Sequence, residues 1–122
     1  GVEVVSVIGF ANKDAVILED KLRACGEVYV TTDDGSYGIK GYVSTVIDGF
    51  DWTPDAVYSC GAPGMLKYVD SKFENHPHAY VSMEARMACG MGACLVCTCK
   101  TQGGNKKTCK DGPVFWGEDV IF

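Results

Sequence analysis

The stretch Cys89-Gly90-Met91-Gly92-Ala93-Cys94-Leu95-Val96-Cys97, completed by Cys109, constrains this chain more than any other. The first three cysteines are spaced C-x4-C-x2-C and the fourth follows after eleven intervening residues, the plant-type pattern for a [2Fe–2S] cluster. Four thiolates must converge on two irons, and three of them come from one short loop wrapped round a compact inorganic core. Gly90 and Gly92 suit that loop, because residues without a Cβ take positive φ and let backbone N–H groups approach sulfur. Such hydrogen bonds stabilise the reduced, more negative cluster. Zinc also takes four cysteines, but structural zinc sites are usually built from paired C-x2–4-C units, and Cys94/Cys97 is the main such pair here. A disulfide framework needs an oxidising compartment, and seven cysteines leave one thiol over.

The remaining composition narrows the partners. The chain has 122 residues, enough for one ordinary domain or two small ones. A net charge of −5, with no Lys/Arg cluster, argues against nucleic-acid binding. No apolar run approaches the ~18 residues of a membrane span, and no basic leader region opens the sequence. Free-thiol chemistry then points to a reducing cytoplasm.

Along the chain, Val2–Phe10 reads as a strand buried on both faces. Asn12 to Gly26 reads as a helix with Val16, Ile17, Leu22 and Cys25 inward and Glu19/Arg23 paired outside. Glu27–Thr32 is a second strand, and Val43, Val46, Ile47 and Phe50 mark a short helix. Trp52 is expected to pack on the sheet end. Ala56–Cys60 and Ala79–Met83 read as further strands, separated by a helix with Pro63 near its start and Met65, Leu66, Val69 and Phe73 inward. His76 and His78, flanking a proline, are more often surface than ligands. Strand–helix alternation implies an α/β fold, a parallel sheet with helices on both faces. From Glu84 onward come short strand candidates, glycine turns and all four proposed ligands. There Leu95–Lys100 is expected to pair with Lys107–Cys109 across a turn, with Val120–Phe122 as a last strand, and Cys99 is read as a packing residue. The expected division is 1–83 and 84–122.

Two strand ends in the α/β part have ligand-binding character, because ligands of open α/β sheets bind outside the carboxyl ends of strands. One is Cys60-Gly61-Ala62-Pro63-Gly64-Met65, where glycines permit close backbone approach and a helix begins. An ordinary strand-to-helix turn explains it equally well. The other is Thr32-Asp33-Asp34-Gly35-Ser36, whose carboxylates would accept a ribose diol and repel a 2′-phosphate, favouring NAD over NADP. A solvated acidic turn is the simpler explanation of that segment. No G-x-G-x-x-G, P-loop or general base can be assembled. Electron transfer requires none of these.

Together these segments resemble the C-terminal half of the iron–sulfur and flavin electron-transfer subunit of NAD-dependent (class 1B) dihydroorotate dehydrogenase, in the ferredoxin-reductase-like superfamily. The residues behind the resemblance are Val7–Phe10 with Asn12–Asp14, Val30–Gly38, Tyr58–Met65, Glu84–Cys94 and Cys109–Phe115. It implies a partial parallel Rossmann-like nucleotide-binding sheet over 1–83 and a small β-rich [2Fe–2S] domain over 84–122. It further implies Cys89, Cys94, Cys97 and Cys109 as cluster ligands, Cys60, Gly61, Pro63, Gly64 and Met65 near the nicotinamide, and Asp33 near the adenosine ribose. The implied partner is an FMN subunit that oxidises dihydroorotate in pyrimidine biosynthesis, with electrons passing through the cluster to FAD and NAD⁺. Ala62 departs from the proline common at its place in the superfamily motif. The resemblance also implies that the FAD barrel and the first nucleotide-domain strand lie outside this chain. FAD binding is then not expected, NAD binding should be weak, and an apolar sheet edge would invite dimerisation. The related subunit of an NADPH-dependent ferredoxin or sulfide oxidoreductase is the enzymatic alternative, and a zinc-stabilised binding module the non-enzymatic one.

Overall fold

A computed structural model describes residues 1–122, which form two compact units, Gly1–Thr53 and Pro54–Phe122. In the first, β1 (Val5–Phe10) pairs in parallel with β2 (Glu27–Thr32), and β2 with the short β3 (Ile39–Lys40). β2 is the buried strand: Val28, Val30, Thr31 and Thr32 are all enclosed. The two threonines keep their hydroxyls satisfied, Thr31 donating to the Ile8 carbonyl at 3.4 Å and Thr32 to the Tyr37 carbonyl at 2.6 Å.

The single helix expected over Asn12–Gly26 is divided. A 3₁₀ turn at Lys13–Ala15, with Asn12 accepting from the Ala15 N–H, is followed by extended Val16 and by Leu18 at φ +64°. Only Glu19–Arg23 is α-helical (α1). Adjacent β-branched Val16 and Ile17 are poor helix formers and account for the break. In consequence Ile17 and Leu18 are exposed, and so is Cys25, which is a surface thiol rather than a core residue. The Glu19–Arg23 ion pair forms as expected, at 2.8 Å. Helix α2 (Val43–Ile47) buries Val46. At Gly9 it lies so close to β1 that an added Cβ would stand 3.0 Å from Val43 Cγ1. Trp52 is half-exposed and stacks on Phe50, which in turn meets Tyr29 edge-on.

In the second unit β4 (Val57–Cys60) and β5 (Ala79–Ser82) are parallel, linked by α3 (Pro63–Lys72) with Pro63 in its first turn. Leu66, Val81 and Val120 form the buried centre, with Met65, Met83 and Phe115 packed round it. The hairpin β6 (Thr98–Thr101) and β7 (Gly104–Lys107) is tighter than expected, Thr101 pairing directly with Gly104. The Thr101 hydroxyl closes the turn on the Gly104 carbonyl at 2.6 Å. That register uses up Lys107, so Cys109 falls in a short helix, α4 (Thr108–Asp111), and not in a strand.

Strand β8 (Val114–Trp116) has no counterpart in the sequence reading and runs antiparallel against β5. Its Val-Phe-Trp composition is a strand signal of the β-branched and aromatic kind. Val120–Phe122, expected as the last strand, contributes one bridge, Val120 to Thr101. Glu84 falls within this second unit, in which β8 returns the chain to β5.

Candidate metal centre

Residues 84–97 contain no helix or strand, and the backbone there is organised round sulfur. Gly90 and Gly92 sit at φ +68° and +85°, the left-handed region in which a Cβ is strained. The turns they make aim amides inward: the Cys94 N–H lies 3.4 Å from Cys89 Sγ. Hydrogen bonds to the Cys89 sulfur from the backbone of Cys94 and Met91 lower its pKa to about 6. A thiolate stabilised in advance is the form that binds metal.

The fourth thiol comes from α4, which begins where β7 ends. Backbone bonding from Cys109 and then its thiol lower the pKa of Cys97, while donating to Cys97 raises that of Cys109. Cys97 is fully buried, whereas Cys89, Cys94 and Cys109 are half-buried. Cys89 thus interacts with Cys94 and Cys97 with Cys109, while the Cys89 charge also acts on Cys109. No group of three or more His, Cys, Asp or Glu side chains is gathered closely enough to hold a single ion. A further feature fits an added group: between these ligands Thr108 donates its N–H to the Cys97 carbonyl at 3.0 Å, yet its buried hydroxyl has no protein partner. Cys99, on the face of β6 that turns inward, is buried too.

Of the other residues singled out from sequence, Cys60 ends β4, Gly61 follows it, and Pro63, Gly64 and Met65 open α3. A cleft of about 340 Å³ is lined there by Gly61, Pro63, Leu66, Glu84 and Arg86, so the turn after β4 adjoins the approach to the cysteine loop. Gly61, at φ +140°, has the Met65 methyl 2.8 Å from where a Cβ would stand. Asp33 follows β2 in the first unit. Asp34, not Asp33, shapes that turn: it accepts from the Ser36 N–H at 2.9 Å, and bonding to Ser36 holds its carboxyl below the usual range. Tyr37 anchors the same turn to α1 through Glu19, at 2.8 and 3.0 Å, a link that sequence spacing did not disclose.

Residues 84–121 match the model of a known family, the iron–sulfur cluster binding domain of dihydroorotate dehydrogenase B. The whole chain is similar to the electron transfer subunit of dihydroorotate dehydrogenase B (NAD(+)) from Streptococcus thermophilus, with 83% identity over 99% of this chain and 49% of that protein. The corresponding subunit from Streptococcus pneumoniae (strain ATCC BAA-255 / R6) is 61% identical, and that of Geobacillus thermodenitrificans 48%, each over 100% of this chain and about half of its own length. The chain thus spans about half the length of the relatives it matches. Among solved structures, a chain of an NADH-dependent reduced ferredoxin-NADP oxidoreductase is similar at a TM-score of 0.79 and 30% identity, over 98% of this chain and 44% of that one. The fold is accordingly a reductase-like α/β arrangement followed by an iron–sulfur segment. No helix is long and apolar enough to cross a membrane.

Proposed function

We propose that this chain is the cluster-bearing part of an electron-transfer subunit of NAD-dependent dihydroorotate dehydrogenase, with Cys89, Cys94, Cys97 and Cys109 holding one [2Fe–2S] cluster. The observation that carries this reading is the cysteine loop whose backbone turns its amides on sulfur, Cys94 N–H to Cys89 Sγ at 3.4 Å, within the segment that matches the iron–sulfur family model. When bound, the cluster supplies one-electron transfer. The chain's own part is to favour the thiolate at Cys89 and Cys97, to bury Cys97 away from water and to direct the Met91 and Cys94 amides at the Cys89 sulfur. None of its residues acts as a general base or nucleophile, so the role is relay rather than bond chemistry.

Electrons would come from a partner subunit in which FMN oxidises dihydroorotate, and would leave toward FAD and NAD⁺ in the full-length protein. In this reading Cys60, Gly61, Pro63, Gly64 and Met65 face the nicotinamide, and Asp33, whose carboxylate is not used in shaping its turn, accepts the adenosine ribose. By itself the chain would be inactive. Residues 84–122 act as the cluster-binding part and 1–83 as the nucleotide-binding part, in a reducing cytoplasm. The outer strand β1, with Val5, Val7 and Ile8, offers an edge for pairing between copies, which light scattering at high concentration would detect.

The solved neighbour supports a second reading, a subunit of a ferredoxin-NADP type oxidoreductase. Identity of 83% to the dihydroorotate dehydrogenase subunit, against 30%, favours the first. The test is an anaerobic visible spectrum of the purified protein, with iron, sulfide and zinc assayed on the same sample. About two irons and two sulfides per chain, with absorption bleached by dithionite, is the expected result. One zinc without sulfide, unchanged after attempted reconstitution with iron, would overturn it. Activity with dihydroorotate in the complex, and none with reduced ferredoxin, separates the two redox readings.

A further inference from the structure

The proposed ligands come from two stretches, 89–97 and 109, and the protein must hold one against the other before metal arrives. Gly92, midway along the first stretch, is held by the second at three points. Lys107 Nζ donates to the Gly92 carbonyl. The Gly92 amide bonds the Cys109 sulfur. The stem of Lys110 packs over Gly92, its Cδ 2.9 Å from where a Cβ would stand. Lys107 is itself firmly placed: it closes β7 opposite Thr98, stands at the N-cap of α4, and donates its N–H to Asp111 Oδ2 at 2.8 Å. That last bond is the acidic half of a capping box, moved one residue along. The ammonium therefore contacts the loop that carries three ligands, and its backbone leads directly into the helix that carries the fourth.

We propose that Lys107 is a positioning residue for the cluster, clasping the two ligand stretches together and, by its positive charge, favouring the reduced state. The inference rests on the cluster reading above. A reduced cluster carries one more negative charge than an oxidised one, so a fixed cation beside its loop stabilises it more and raises its potential. A lysine that only held the fold would affect iron retention and leave the potential alone. Lys106 provides the contrast, because strand alternation turns it to the opposite face of β7, opposite Cys99 in register.

The experiment compares Lys107→Met, Lys107→Arg and Lys106→Met in the cluster-loaded, full-length protein. Redox titration followed by visible absorbance gives the potential, and iron release to a chelator gives retention. Lys107→Met is expected to shift the reduction equilibrium about fivefold against the reduced form, as one partly solvated charge at contact would; at 59 mV per decade that is ~40 mV. It should also release iron severalfold faster. Lys107→Arg should stay close to the unsubstituted protein, and Lys106→Met should match it. If Lys107→Met assembles no cluster, Lys107→Gln, which keeps a donor without the charge, takes the same potential measurement. An unchanged potential in Lys107→Met or Lys107→Gln, or an equal fall in Lys106→Met, overturns the proposal. If the unsubstituted protein holds no iron and sulfide, the cluster reading fails with it; a loaded protein indifferent to Lys107 defeats this inference alone.

Discussion

The strand pair β1–β2 and the cysteine loop 89–97 solve the same problem, satisfying backbone polar groups, in opposite ways. In β1–β2 the amides bond each other in a six-residue parallel register, and the side chains pack. In the loop, amides turn toward the Cys89 and Cys109 sulfurs, and apolar side chains are left outside: Met91 is 76% exposed and Leu95 73%. A region built on a ladder should resist loss of any one thiol. A region built on sulfur should fail when its sulfur or its metal is removed.

The sharpest way to break the contrast is to remove a ligand. Cys89→Ser or Cys97→Ser should abolish the visible absorption outright, while Cys25→Ser and Cys99→Ser retain it; the reverse pattern would refute the ligand set. The converse substitution is Gly26→Ala in the first unit, where the new Cβ would stand 2.1 Å from the Val4 carbonyl oxygen. Overpacking against backbone of this kind costs about 1–3 kcal/mol, which chemical denaturation would record. Cluster absorbance per folded molecule should not change.

A third measurement sharpens the comparison without disturbing the fold. With its pKa lowered to about 6, Cys89 in the cluster-free protein should be a thiolate at neutral pH and become protonated as pH falls below that value. Alkylation of Cys89, followed by mass spectrometry, should therefore be half-maximal near pH 6, and Cys109, shifted upward, should react only at higher pH. Equal profiles would mean that the amides do not act on Cys89 as the geometry implies. The smallest effect is expected for Tyr37→Phe, which frees Glu19 from one hydrogen-bond partner but leaves it Arg23. Melting should shift slightly and the spectrum not at all.

How much of this could be read from sequence depended on which force was at work. β2 is found with both ends correct because Glu27–Thr32 is a β-branched run bounded by glycine and by an acidic turn. The cysteine segment is legible because ligand spacing is local, and the family match over 84–121 covers all four cysteines. The helix over 12–26 is overextended, since apolar spacing at Val16, Ile17 and Leu22 outweighed the poor helix propensity of two adjacent β-branched residues. The 98–107 hairpin is displaced because its register is set by one side-chain bond, Thr101 to Gly104, which no periodicity records. β8 pairs with a strand more than thirty residues earlier, and the Glu19–Tyr37 link spans eighteen, so neither leaves a local signature.

The return of β8 to β5 has a consequence for how this segment could be inherited and re-engineered. Ser82 and Val114 are register partners, and the Met83 amide bonds the Pro113 carbonyl at 2.8 Å. Residues 83–113, with all four proposed ligand cysteines, thus form an excursion that leaves and re-enters the sheet at neighbouring points, about 5 Å apart as paired strands require. Because closing a loop costs entropy only as the logarithm of its length, such an excursion can be lengthened, shortened or exchanged with little penalty to the strands at its base. In design terms the segment is a cassette with one tether: a short turn joining Ser82 to Val114 would keep the β5–β8 register but remove the Thr101–Val120 bridge and the bonds from Lys100 and Gln102 to residues 119–121, so the C-terminal stretch has to be redesigned with it.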